Sequence, residues 1–202
     1  RNYSSEVIDQ IFAGSEINMD NDGSENRFAR RNYLGRLSYG YQNKYLVDFN
    51  MRIDGSTIFP EGNRYGYFPG VSAGWVISEE TFFQGADFIN QLKLRGSWGQ
   101  MGNDAVPPYQ YLASYNLGQG GIFGINKNPL LGVSKDVEPN PNITWEVSTT
   151  TNIGLDAELW DGLLGITFDA FSTRREDILV SRFASVPDYT GLELPDENLG
   201  IV

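Results

Sequence analysis

Trp145-Glu146-Val147-Ser148-Thr149-Thr150-Thr151-Asn152-Ile153-Gly154-Leu155-Asp156-Ala157-Glu158-Leu159 is the stretch that decides the fold class. Alternate positions carry Trp145, Val147, Thr149, Thr151, Ile153, Leu155, Ala157 and Leu159. The positions between them carry Glu146, Ser148, Thr150, Asn152, Gly154, Asp156 and Glu158, with no large apolar side chain. Successive side chains of a strand point to opposite faces, so the pattern is a strand with one apolar and one polar face. At ~3.3 Å per residue the stretch spans roughly 45 Å. A soluble strand typically has ~5–6 residues, and a tilted membrane strand needs ~9–11.

The same alternation recurs upstream. In Tyr45 to Asp54 one face holds Tyr45, Val47, Phe49, Met51 and Ile53, and the other Leu46, Asp48, Asn50, Arg52 and Asp54. Weaker versions cover 31–41, 68–77, 90–100 and 163–173, which makes about six strands. Their connections alternate in length. Gln42-Asn43-Lys44 is a tight link. Asp161-Gly162 is a two-residue hairpin signal, because both central positions of that turn need positive φ. Between 78 and 89, Ser78-Glu79-Glu80 is placed to cap one short helical turn. The links 55–67 and 101–143 are long, as are the flanks 1–30 and 174–202. Short turns at one end and long loops at the other is the asymmetry of outer-membrane barrels. Aromatic residues bracket the apolar faces in the same sense: Tyr39, Tyr41, Tyr45 and Trp75 near the short turns, Tyr33, Trp98 and Trp145 near the long loops.

Composition removes other classes. The 202 residues include no Cys and no His, which excludes disulfides, thiol nucleophiles, Ser-His-Asp chemistry and nearly every zinc site. A formal net charge of -11 argues against nucleic acid as a partner, since phosphate neutralisation needs an excess of Lys and Arg. Aromatics at 13%, with 23 Gly, suit an all-β chain rich in turns. A glycosidase-like carboxylate pair carries no weight among 26 Asp and Glu, and the chain is not expected to be an enzyme. A soluble carbohydrate-binding β-sandwich is the alternative to a membrane wall, and it would bury the apolar face against a second sheet.

Several segments resemble one family. Arg31-Asn32-Tyr33-Leu34-Gly35-Arg36-Leu37, Lys44-Tyr45-Leu46, Arg52-Ile53-Asp54-Gly55-Ser56, Gly62-Asn63-Arg64-Tyr65-Gly66 and Phe68-Pro69-Gly70-Val71-Ser72-Ala73-Gly74-Trp75 follow the barrel of SusC/RagA-like TonB-dependent outer-membrane transporters. So do Ile77-Ser78-Glu79-Glu80 with Phe82-Phe83, Leu92-Lys93-Leu94-Arg95-Gly96-Ser97-Trp98-Gly99-Gln100-Met101-Gly102-Asn103, Asn140-Pro141-Asn142-Ile143-Thr144-Trp145-Glu146, Thr151-Asn152-Ile153-Gly154-Leu155-Asp156 and Asp177-Ile178-Leu179. The resemblance implies an antiparallel up-and-down (meander) transmembrane β-barrel segment, about six strands of a barrel of ~22. It divides residues 1–202 into an extracellular loop (1–30), barrel strands (31–173) and a second extracellular loop region (174–202), with no plug domain expected among them. It further implies import of oligosaccharides, peptides or similar nutrients across the outer membrane of a Gram-negative, Bacteroidetes-like cell. The implied partners are a SusD-like surface lipoprotein, the TonB-ExbB-ExbD complex acting through parts outside these residues, the glycan or peptide nutrient, and outer-membrane lipid. The start at Arg1 and the unpunctuated close at Asn198-Leu199-Gly200-Ile201-Val202 fit a segment of a longer chain.

No catalytic, cofactor-binding or metal residue is assigned, no cofactor is expected, and substrate-binding residues are unassigned. Asn18-Met19-Asp20-Asn21-Asp22-Gly23 resembles half of a calcium loop, but Ala29 stands where the bidentate Glu is needed. Asp54-Gly55-Ser56 and Gly62-Asn63-Arg64-Tyr65-Gly66 read as turns whose Gly and Asn supply left-handed backbone. Asp48, Asn50, Arg52, Lys93, Arg95, Asn152, Asp156 and Glu158 face the lumen as a ladder that stiffens the wall or meets the plug, with Asp48 and Arg52 near Arg36 or Lys93. Residues 116–126 read as a flexible glycine loop.

Overall fold

The computed structural model describes residues 27–83, 88–123, 128–135, 137–181 and 194–202. The first alternating stretches form β1 (Arg30–Tyr41), β2 (Tyr45–Ser56), β3 (Tyr65–Val76) and β4 (Ile89–Asn103). A hairpin of β5 (Tyr115–Phe123) and β6 (Asn128–Lys135) follows, then β7 (Glu146–Leu159) and β8 (Leu164–Glu176), then the short β9 (Ile178–Val180) and β10 (Glu197–Gly200). One 6-stranded antiparallel sheet runs in the order β1-β2-β3-β4-β7-β8. It is the expected meander, interrupted only where β5 and β6 pair with each other.

Register puts like residues side by side. Leu37, Phe49, Val71, Trp98, Thr151 and Ser172 are successive partners across the sheet, and Tyr45, Trp75, Leu94, Leu155 and Phe168 form a parallel row. The face they share is uncovered: Val47 is 44% exposed, Phe49 46%, Ile153 59% and Leu155 37%. A sandwich would bury these side chains against a second sheet, and nothing among the described residues does so. The alternative therefore loses its main requirement.

Turn chemistry explains the short-turn end. Gln42 and Asn43 both adopt positive φ (52° and 56°), as a tight hairpin between right-twisted strands requires. The second hairpin is larger than expected. Pairing closes at Leu159 and Leu164, and Trp160, Asp161 and Gly162 all have positive φ. The extra length lets the turn reach β4: Trp160 N donates to Phe88 O, while Asn90 and Asp161 bond reciprocally at 2.8 and 2.7 Å. Ser78 caps no helical turn; Ile77–Glu79 and Thr81–Phe83 are two 3-10 turns, the first entered from Val76 with no side-chain cap.

The long-connection end is more ordered than the sequence suggests. Residues 116–123 belong to β5 rather than to a loop, and β9–β10 lies within the expected loop 174–202. A small core sits here, built from Ile58, Phe59, Phe68, Ile143 and Trp145, with Val106, Tyr111, Val147 and Leu179 against it. Trp145 is 6% exposed, its ring 5.0 Å from that of Phe59 and 5.6 Å from that of Phe68. It is thus a core residue and not part of an outer aromatic belt. Alternation assigned it to the apolar face, but it precedes the first residue of β7, where loops close over it.

Candidate functional site

The polar face carries the chemistry. Strand alternation sends Asp48, Asn50 and Arg52 of β2 to one side with Ser72 of β3, Lys93, Arg95 and Ser97 of β4, Asn152 and Asp156 of β7, and Asp169 of β8. Asp48, Asn50, Lys93, Arg95 and Asn152 line one concave groove of about 550 Å³.

Two charge clusters cross this face. Arg36 donates twice to Asp48 Oδ1, at 2.8 and 3.1 Å, and the Ser38 hydroxyl bonds the same oxygen. Arg95 bridges strands: its Nε lies 3.0 Å from Asp156 and its Nη2 2.7 Å from Asp169. The guanidinium lies flat over Gly154, where a Cβ would come within 2.5 Å of Cζ. One fork-shaped cation thereby ties β4 to β7 and β8.

Of the expected ladder, Asp48 does meet Arg36. Arg52 does not reach across; it pairs with Asp54 of its own strand at 2.7 Å. Lys93 lines the groove beside Asp48, and Glu158 stands exposed beside the Gly162 turn. Asp169 was missed, although it is the single acid within the alternating Ile166, Phe168 and Ala170.

At the long-connection end three asparagines stitch loops together. Asn140 Nδ2 donates to Asp196 O (2.7 Å), and its Oδ1 accepts from Asn142 N. Asn198 accepts from Thr144 N and donates to the carbonyls of Thr144 and Asp177. Asn63 Nδ2 donates to the carbonyls of Asn142 and Ile143. The glycines nearby are not left-handed as expected; among the described residues only Gly162 is a glycine with positive φ. They allow close approach instead. A Cβ on Gly55 would meet the Tyr65 ring at 2.6 Å, and one on Gly66 the Phe68 ring at 2.4 Å.

At the opposite end Glu80 is a hub. It accepts from Tyr45 Oη (2.6 Å), Trp75 Nε1 (3.2 Å) and Lys44 Nζ (3.2 Å). Those donors, the tyrosine hydroxyl foremost, hold its carboxyl below the usual glutamate value.

The calcium-like stretch 18–23 lies outside the described residues. Among those described, no group of three or more acidic side chains is placed to hold a metal ion. The face offers cross-strand rigidity and a charged surface.

Comparison with known proteins gives a consistent result. Residues 2–197 match a family model described as TonB dependent receptor-like, beta-barrel. TonB-dependent receptor P26 of Formosa agariphila is 32% identical over 173 residues, covering 86% of this chain and 17% of that protein. TonB-dependent receptor SusC of Bacteroides thetaiotaomicron is 35% identical over 159 residues, covering 76% of this chain and 16% of that protein. The RagAB peptide importer in its open-open state shares the fold, with a TM-score of 0.73 at 23% identity over 91% of this chain and 20% of that one. The chain spans less than a fifth of the length of these curated relatives.

Proposed function

The chain belongs to the TonB-dependent receptor β-barrel family, and on that premise we propose that it forms about a quarter of the outer-membrane wall of a SusC-like importer, six strands of ~22. The observation that carries this reading is the uncovered apolar face backed by a charged face on the same strands. Lipid is the solvent that matches the first, and a water-filled lumen matches the second. The long connections and the flanks 1–30 and 174–202 lie outside the cell, and the turns at Asn43 and Asp161 lie in the periplasm.

The cargo class is oligosaccharides, peptides or similar nutrients, the peptide arm being supported by likeness to a peptide importer. The partners are a SusD-like surface lipoprotein and the TonB-ExbB-ExbD complex, in a Gram-negative cell of Bacteroidetes type. Relatives from Formosa and Bacteroides support that setting.

The test uses the full-length protein with single cysteines, for which this segment offers a cysteine-free background. Nitroxide labels at Val47, Phe49, Ile153 and Leu155 should collide with oxygen in preference to a water-soluble nickel complex. Labels at Asn50 and Asn152 should show the reverse preference. Inverted or uniform accessibility would sink the wall reading.

A further inference from the structure

The apolar face of β1–β3 ends abruptly toward the long connections. Tyr33, Ile53 and Tyr67 are partners in one row, on the same side as Val47 and Phe49. The next row on that side is Arg31, Gly55 and Tyr65. One side-chain step, ~7 Å along a strand, thus takes the surface from apolar residues to a guanidinium. Tyr33, Tyr65 and Tyr67 are all exposed at this change, where amphipathic rings meet lipid headgroups in a membrane protein.

Beside that row, Arg30, Arg31 and Arg64 line one pocket of about 280 Å³ together with Gly55, Thr57 and Tyr65. No acidic residue lines it, in a chain with 26 Asp and Glu against 15 Lys and Arg. Arg30 is engaged: its Nε and Nη2 donate to the two carboxylate oxygens of Asp104 at 2.7 and 3.0 Å. Among the described residues Arg31 and Arg64 form no ion pair. Arg64 Nε is also buried with no hydrogen-bond partner, so its guanidinium is partly withdrawn from water without a compensating acceptor. Gly55 gives the Tyr65 ring its place in the row; a Cβ there would come within 2.6 Å of the ring.

We infer that this pocket holds the phosphate of an outer-leaflet lipid, with Arg31 and Arg64 as its cations and Tyr65 as the ring beside the headgroup. Guanidinium forks match pairs of phosphate oxygens. A pocket with two unpaired cations and no carboxylate selects an anion. The side of the strands selects its source, because cargo travels along the polar face and lipid lies against the face that carries Arg31 and Tyr65. Arg174 is the contrast: it points outward on β8 at the same end, but its charge is already taken by Glu176 at 2.8 Å.

This inference rests on the wall reading, and the experiment separates the two. The full-length protein, stripped of lipid in a nonionic detergent, is titrated with phosphatidic acid, a phosphate monoester, and with phosphatidylcholine. Native mass spectrometry counts the bound lipid. Arg31→Gln and Arg64→Gln should each weaken phosphatidic acid binding about 5-fold, and together about 30-fold. Arg174→Gln should leave it unchanged, and phosphatidylcholine binding should stay the same in every variant. Arg31 is exposed, so its substitution leaves the core intact; no loss from Arg31→Gln, or an equal loss from Arg174→Gln, would overturn the site. Displacement of phosphatidic acid by millimolar inorganic phosphate would make it a free-anion site and overturn the lipid source. Nitroxides at Val47 and Phe49, read after reconstitution of the same preparation in phosphatidylcholine vesicles, report the wall separately. Oxygen preference there without an Arg31 effect overturns the site alone, and no oxygen preference overturns both.

Discussion

Gly102 shows how strictly a single position is set. A Cβ there would lie 1.9 Å from the tip of the Phe68 ring. Phe68 is 4% exposed and held by Trp145, so the ring has nowhere to swing. Gly102→Ala should therefore cost about 1–3 kcal/mol, the usual cost of forcing extra volume into a packed site. Gly35, with nothing within 4 Å of its Cβ direction, is the control; Gly35→Ala should stay within about 0.5 kcal/mol. Urea midpoints of the two variants in the full-length barrel check this. Glu80 provides a pH signature at the same scale. Its folded pKa is depressed below the ordinary glutamate value of about 4.5, so its stabilising contribution is fully present above that value. The contribution is lost as pH falls through the lower folded value. Stability of the native barrel should accordingly fall with acidification more steeply than that of Glu80→Gln, the two curves converging at the acid end. Parallel curves would remove Glu80 as the cause.

At the scale of elements, Arg95 decides whether β4, β7 and β8 act as one unit. Removing it leaves Asp156 and Asp169 facing each other with no cation between them. Arg95→Gln should lower the urea midpoint, and adding Asp169→Asn should recover part of the loss because it removes one of the two like charges. A double variant less stable than Arg95→Gln would mean that Asp169 has a different partner. The same elements show what was legible in sequence. The six wall strands were visible because lipid and water face them on opposite sides, so alternation survives along their whole length. The β5–β6 hairpin was not, because glycines at 118, 120, 121 and 124 break the pattern that a strand needs to announce itself. Trp145 was misplaced for a related reason: alternation says which side a residue takes, but not where the wall ends and loops fold over it. Asp48–Arg36 could be expected, because both lie inward on adjacent strands. Arg95–Asp169 could not, since it spans two strand spacings and depends on Gly154 leaving room for the guanidinium.

At the scale of the molecule, the open edges govern how the chain can exist. β1 pairs on one side only, and beyond β7 the described residues give β8 only the Arg175–Val202 pair of backbone bonds (2.8 and 2.9 Å). On the free side of the 12-residue β1, alternate residues point both N–H and C=O away from the sheet, roughly six residues' worth. In hydrocarbon each unsatisfied group costs several kcal/mol, which sums to tens of kcal/mol. A folded domain has only about 5–15 kcal/mol of stability in hand. Small gains in packing cannot offset an open edge of that size, so the six strands need the rest of a barrel on both flanks. Residues 1–202 refolded alone into detergent should consequently show no heat-modifiable band on a gel and no discrete conductance in a planar bilayer. Supplying the remaining strands as a separate polypeptide should restore heat-modifiability, because the edges of β1 and β8 then find partners. A closed-barrel signal from residues 1–202 alone would mean that β1 and β8 can satisfy each other, and would replace the quarter-wall with a small barrel of its own.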